Sequence, residues 1–179
     1  MSDISIQDRL YPEAACFGCG PSNPKGLQLK SHARDGAFVA TFRPWPEHDN
    51  GVGFLNGGII STVLDCHSAS AVMHEAAEQG WLPLPGAALS HVTARLDVRF
   101  LRPAPLHEPV ELRAVLTTVS EAEMTCSVEL VFDGKPRATA DATPACRPRP
   151  SGWPGTCCCT APTTRPPSWP GPGSNTPTR

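Results

Sequence analysis

Apolar residues recur every three or four positions in one long stretch of the chain and every second position in several shorter ones. Ile60, Val63, Leu64, His67 and Ala71 fall on one stripe of a helix predicted over residues 58–79, with Gly80 as its stop. Strands are predicted over 27–30 and 37–42, with Asp35-Gly36 turning between them and Phe38, Ala40 and Phe42 sharing one face. Pro44 and Pro46 close this opening hairpin. Beyond the helix come a loop at 82–86 and strands at 92–101, 110–119, 124–132 and 135–143. Asp133-Gly134 is a strong two-residue hairpin signal between the last two. One long helix, preceded by a hairpin and followed by consecutive antiparallel strands, predicts an α+β fold in which the sheet wraps the helix.

Composition adds a boundary. The chain has 179 residues, 40% hydrophobic and 18% charged, which suits one domain. Up to Thr143 there are 17 acidic and 11 basic residues; from Pro144 onward there are none and four. That last stretch holds 10 of the 21 prolines and 4 of the 8 cysteines, with no Val, Ile, Leu, Met or Phe. It lacks the apolar area that offsets ordering, so residues 1–143 are expected to fold and 144–179 to be a disordered tail. Its composition is that expected from a reading-frame change in GC-rich coding sequence. A terminal strand cut short there would expose a sheet edge. The acidic body disfavours nucleic-acid binding. The N-terminal residues lack a secretory pattern and no stretch is apolar enough to span a membrane, so the expected setting is the cytoplasm, with reduced cysteines.

The predicted helix start carries chemistry. Asn56 is a favoured N-cap, and Gly57 and Gly58 leave backbone N–H groups unobstructed at the positive end of the helix dipole. Such donors can form an oxyanion hole; equally, Gly-Gly permits tight packing of the first turn. Asp65 sits mid-helix after Val63-Leu64, where a carboxylate needs water, a partner or a raised pKa. It could also lie on the solvated face. At 1.5 Å per residue, Gly57 and Asp65 stand about 12 Å apart along the axis, too far to serve one carbonyl and its attacking water. Two helices paired antiparallel about a two-fold axis would bring the entrance of one to the middle of the other, so the spacing predicts a dimer.

The run Leu55-Asn56-Gly57-Gly58-Ile59-Ile60-Ser61-Thr62-Val63-Leu64-Asp65, preceded by Asn50 and followed by Thr93-Ala94-Arg95-Leu96-Asp97-Val98-Arg99-Phe100-Leu101-Arg102-Pro103, resembles the hotdog-fold thioesterases of the PaaI, phenylacetic-acid-degradation type. Cys16-Phe17-Gly18-Cys19-Gly20 and Asn23-Pro24-Lys25-Gly26-Leu27 resemble the start of many of them, and the likeness covers about residues 16–143. It implies hydrolysis of acyl-CoA thioesters to free acid and CoA by a homodimer or homotetramer, without a metal or other cofactor. In that pattern the Gly57 N–H polarises the thioester carbonyl, and Asp65 of the other subunit is general base or nucleophile. Asn50 helps hold the water or carbonyl, and Thr93 lies near the partner carboxylate. Asn56 and Gly58 complete the substrate-binding set. The commonest family motif has His before Gly-Gly; Asn56 cannot titrate near neutrality, which disfavours an imidazole mechanism and a hydratase. The alternative function is a hotdog protein that binds acyl-CoA or an aromatic ligand without turnover.

Other residues read as structural. Cys16 and Cys19 form a Cys-x-x-Cys without a second pair at zinc spacing, and they do not open a helix as redox pairs do. His67 and His74 are expected to be packed or hydrogen-bonded. Arg95, Arg99 and Arg102 could meet CoA phosphates, although Asp97 between the first two favours an ion-paired sheet surface.

Overall fold

A computed structural model describes residues 4–81, 93–120 and 123–144. The loop expected at 82–86 and the tail beyond Pro144 lie outside the described residues. The elements are α1 (Ile6–Leu10), β1 (Ser31–Arg34), β2 (Ala37–Phe42), α2 (Gly57–Glu78), β3 (Thr93–Phe100), β4 (Val110–Val119), β5 (Met124–Phe132) and β6 (Lys135–Pro144). Six antiparallel strands form one sheet in the order β1-β2-β4-β5-β6-β3. The α+β expectation holds, with the sheet curved around one long helix. Among the described residues no helix is long and apolar enough to cross a membrane.

Alternation along the strands builds the core. Val110, Leu112 and Ala114 of β4, Met124, Cys126, Val128 and Leu130 of β5, and Ala138, Ala140 and Ala142 of β6 are buried. The alanines of β6 leave room for α2 to lie close to the sheet. On α2 the predicted stripe of Ile60, Val63, Leu64, His67 and Ala71 is buried, and Cys66, Ser70, Val72, Met73 and Ala76 are buried as well. A helix covered on so many sides has weak amphipathic contrast, because the sheet takes one face and the N-terminal segment another. Gly80 ends it with φ +72°, the left-handed C-terminal conformation that glycine adopts without penalty.

Two local readings are corrected. The first strand is Ser31–Arg34, not 27–30. Leu27 N–H donates to Phe17 O (2.7 Å), Leu29 N–H to Gly18 O (3.0 Å), and Gln28 has φ +53°. The backbone of 27–29 is thus tied to the 16–20 turn rather than to β2, while Leu27 and Leu29 still fill the core. The last strand, expected to leave an exposed edge, is an inner strand among the described residues, since β6 pairs with β5 on one side and β3 on the other. The sheet's edges are β1 and β3. The short helix α1 was not anticipated; its signal is Ser5, whose Oγ accepts Asp8 N–H at 3.1 Å as an N-cap. Arg9 then reaches Glu78 (3.2 Å) and His74 Nδ1 (2.7 Å), fastening α1 to the end of α2.

Candidate active site

The start of α2 is shaped by the loop before it. Asp49 Oδ1 accepts Gly51 and Gly53 N–H (2.7 and 3.0 Å), and these contacts hold the Asp49 carboxyl below the usual carboxylate range. Asn50 Oδ1 accepts Val52 and Phe54 N–H (3.0 and 3.3 Å). Asn50 therefore braces the loop with its oxygen, leaving only its amide nitrogen as a donor for a ligand. Leu55 N–H bonds Ala104 O at 3.0 Å and Asn56 N–H bonds His48 O at 2.8 Å, fixing the chain's approach to the helix.

Asn56 caps α2 as expected, with φ −61° and ψ 136°. Its Oδ1 accepts the Gly58 N–H at 2.7 Å. That donor is therefore spent within the chain, so the pair of glycine N–H groups does not face a ligand together. Gly57 N–H has no partner among the described residues. It points from the first helical position, where backbone N–H groups lack intrahelical acceptors. The Phe100 ring packs on Gly57: a Cβ there would lie 3.4 Å from Phe100 Cζ. Phe100 is 57% exposed, so the glycine sits under an aromatic cover open to solvent.

Asp65 lies eight residues along, half-buried. Thr93 Oγ1 donates to Asp65 Oδ1 at 2.5 Å. Thr93 was expected near the carboxylate of a partner; it meets the carboxylate of its own chain. A bulge in β3 between Thr93 and Arg95 makes this contact. Leu96 and Val98 pack against the core, and strict alternation from them would turn Thr93 to the outer face. The extra residue, Ala94, re-aims Thr93 toward α2. Arg95 and Asp97 pair on the outer face at 2.9 Å, both exposed. Arg102 Nη1 donates to Pro136 O at 3.0 Å.

Gly57 and Asp65 therefore stand beside opposite ends of β3, the first at Phe100 and the second at Thr93. Within one chain they do not converge. A surface groove of about 610 Å³ runs over the outer side of the sheet past Lys30, His32, Glu111 and Arg113, and neither Gly57 nor Asp65 lines it.

His67 is fully buried, its Nε2 3.1 Å from Phe38 O and its Nδ1 2.8 Å from Ser31 Oγ; His74 lies edge-on to Phe38, with ring centroids 5.4 Å apart. The fold brings Cys66, the sequence neighbour of Asp65, to Cys16 and Cys19, with all three Sγ atoms within 4.8 Å of one another. Fifty residues separate Cys66 from Cys16, so local spacing held no sign of this.

A model of the thioesterase superfamily matches residues 52–138. No curated protein matches the chain. Among solved structures, the chain is similar to a phenylacetic acid degradation-related protein from Ralstonia eutropha JMP134, with 29% identity, TM-score 0.59, and coverage of 78% of this chain and 98% of that one. A thioesterase superfamily protein from Shewanella loihica PV-4 is similar at 26% identity and TM-score 0.55, over 71% of this chain and 97% of that one. The PaaI protein of the E. coli phenylacetic acid degradation operon shares the fold at 18% identity and TM-score 0.55, over 69% and 81% of the two chains. The central helix with its Asn-Gly-Gly start and the sheet wrapped around it give the chain the hotdog fold of these structures, and over residues 52–138 it matches the thioesterase superfamily.

Proposed function

We propose that this chain hydrolyses acyl-CoA thioesters at sites shared between two copies. The observation that carries the reading is the division of chemistry along β3: at one end a Gly57 N–H without a partner among the described residues, at the other a Thr93-oriented Asp65. Among the described residues β3 is an edge strand of the sheet, and Phe100 and Leu101 at its end are 57% and 47% exposed. Antiparallel pairing of β3 with itself, centred between Leu96 and Asp97, sets Phe100 opposite Thr93 of the second copy. Gly57 of each copy then approaches Asp65 of the other, giving two equivalent sites.

In such a site the thioester oxygen accepts the Gly57 N–H. Asp65 takes a proton as water oxygen attacks the carbonyl carbon, and negative charge gathers on the former carbonyl oxygen at the helix N-terminus. The tetrahedral intermediate collapses with cleavage of the C–S bond, and the CoA thiolate leaves and regains a proton. Thr93 is a positioning residue: its hydroxyl fixes one carboxylate oxygen so that the other faces the water. Arg99, on β3 beside Phe100, is suited to the phosphates of CoA. The setting is taken as cytoplasmic, where Cys16, Cys19, Cys66 and Cys126 stay thiols.

The test is thiol release from short, medium, long and aryl acyl-CoA thioesters by the full chain. Saturable hydrolysis of at least one class is expected; tight binding across the panel without thiol release would instead make the protein a ligand-binding hotdog module. Thr93→Val should lower kcat about tenfold with little change in KM or melting temperature, the scale of one hydrogen bond to a charged group. An unchanged kcat would remove Thr93 from the site.

A further inference from the structure

We propose that Cys16, Cys19 and Cys66 form a three-thiolate binding site for a thiophilic d10 cation, with Zn²⁺ as the fitting ion. This site is independent of the hydrolytic reading. Three sulfurs from two separate segments converge with their Sγ atoms within 4.8 Å of one another. The Cys16 and Cys66 sulfurs are 3.7 Å apart. Two ligands of a tetrahedral zinc with Zn–S bonds of about 2.3 Å stand about 3.8 Å apart, so this edge already has the spacing of a coordinated pair.

The turn that carries Cys16 and Cys19 is built for the approach. Gly18 presses against α2 so closely that a Cβ would fall 2.3 Å from Cys66 Sγ and 2.9 Å from Thr62 Cγ2. At Gly20 a Cβ would lie 2.2 Å from Cys16 N. Both glycines in Cys16-Phe17-Gly18-Cys19-Gly20 thus serve to fold the turn down onto the third sulfur. Cys19 and Cys66 are buried and Cys16 is at the surface, so three protein ligands would leave the fourth position open toward solvent for a water. A bound ion would clip the N-terminal segment to α2 next to Asp65, joining parts of the chain that no other covalent or coordinate bond links among the described residues.

The experiment uses the full chain with Cys146, Cys157, Cys158 and Cys159 replaced by Ser, so that the tail thiols do not bind the probe. Under reductant, Zn²⁺ should bind at one ion per chain and raise the melting temperature by several degrees. Co²⁺ should give the thiolate-to-cobalt charge-transfer band and the intense visible absorption of a tetrahedral sulfur site. Cys66→Ser and Cys16→Ser should each weaken Zn²⁺ binding at least about tenfold, and Cys16→Ser, at the surface, retains the fold if Cys66→Ser does not. Absence of stoichiometric metal with all four remaining thiols counted free, or affinity unmoved by Cys16→Ser, would overturn the site. A Cys16–Cys66 disulfide in the protein as isolated would also overturn it, identifying a redox pair in its place.

Discussion

Mixing two inactive variants, Asp65→Asn and Gly57→Pro, is expected to restore thioester hydrolysis. Alone, Asp65→Asn removes the base and should lower kcat/KM by about 10²–10⁴-fold. Gly57→Pro deletes the one N–H assigned to the oxyanion and should cost about 10²–10³-fold in kcat. The proline is a mild change to the scaffold. Gly57 is the first helical residue, where proline is favoured, and Asn56 already has φ −61° and ψ 136°, the conformation required before proline. A Cβ at position 57 meets Phe100 only at ordinary contact distance, 3.4 Å.

In a mixed dimer, one site combines the intact Gly57 of the Asp65→Asn subunit with the intact Asp65 of the Gly57→Pro subunit. The other site carries both lesions. Random exchange makes about half of the dimers mixed, so about a quarter of wild-type activity should return. The readout is hydrolysis before and after subunit exchange, with exchange followed by differently tagged chains. If tagged chains exchange and activity stays at the level of the separate variants, the shared site is wrong. If each variant is as active as wild type, the assignment of Asp65 and Gly57 fails at its first step.

What the sequence reveals here follows the range of the interactions involved. The limits of α2 were legible because Asn56 and Gly80 are local stop signals that tertiary packing reinforces. β4 and β5 match the expected 110–119 and 124–132 because each alternates cleanly between core and surface. The displaced first strand was not legible, since Leu27 and Leu29 carry a strand-like pattern while their N–H groups bond to Phe17 and Gly18. Asp65 stood out as a carboxylate inside an apolar run, but its partner depended on a bulge at Ala94 that no residue type announces. Gly58 looked equal to Gly57 until the Asn56 side chain claimed its N–H. The three-sulfur cluster lay beyond local reasoning altogether, because its third member comes from the middle of a helix.

Stability should fall steeply between about pH 6.5 and pH 4, and His67 should account for much of the fall. Its imidazole belongs to a closed polar network in the core. Nε2–H donates to Phe38 O (3.1 Å), and Nδ1 accepts from the Ser31 hydroxyl (2.8 Å). Gln7 Nε2 donates to Ser31 Oγ (3.1 Å) and Ser70 Oγ (2.8 Å), while its Oε1 accepts Ser31 N–H (2.8 Å). Ser70 donates to Cys66 O (2.7 Å), and the Tyr11 hydroxyl completes it at 3.0 Å. This neutral arrangement satisfies every partner; a second proton on His67 would face the Ser31 hydroxyl, which would lose its acceptor. Burial lowers the His67 pKa to about 4, with the Phe38 carbonyl opposing weakly. The unfolded chain takes up this proton from about pH 6.5 downward, whereas the folded chain refuses it until about pH 4. Stability from this group is therefore complete above that window and is lost through it, by about 3 kcal/mol. His48 and His74 are also shifted down by burial, so the contribution of His67 is read as a difference. Denaturant titrations at pH 7.5, 5.5 and 4.5 should show His67→Gln less stable than wild type at the highest pH and converging with it at the lowest. Parallel pH profiles for the two proteins would mean that the imidazole is not held neutral by the core, and the network would lose its role in the acid response.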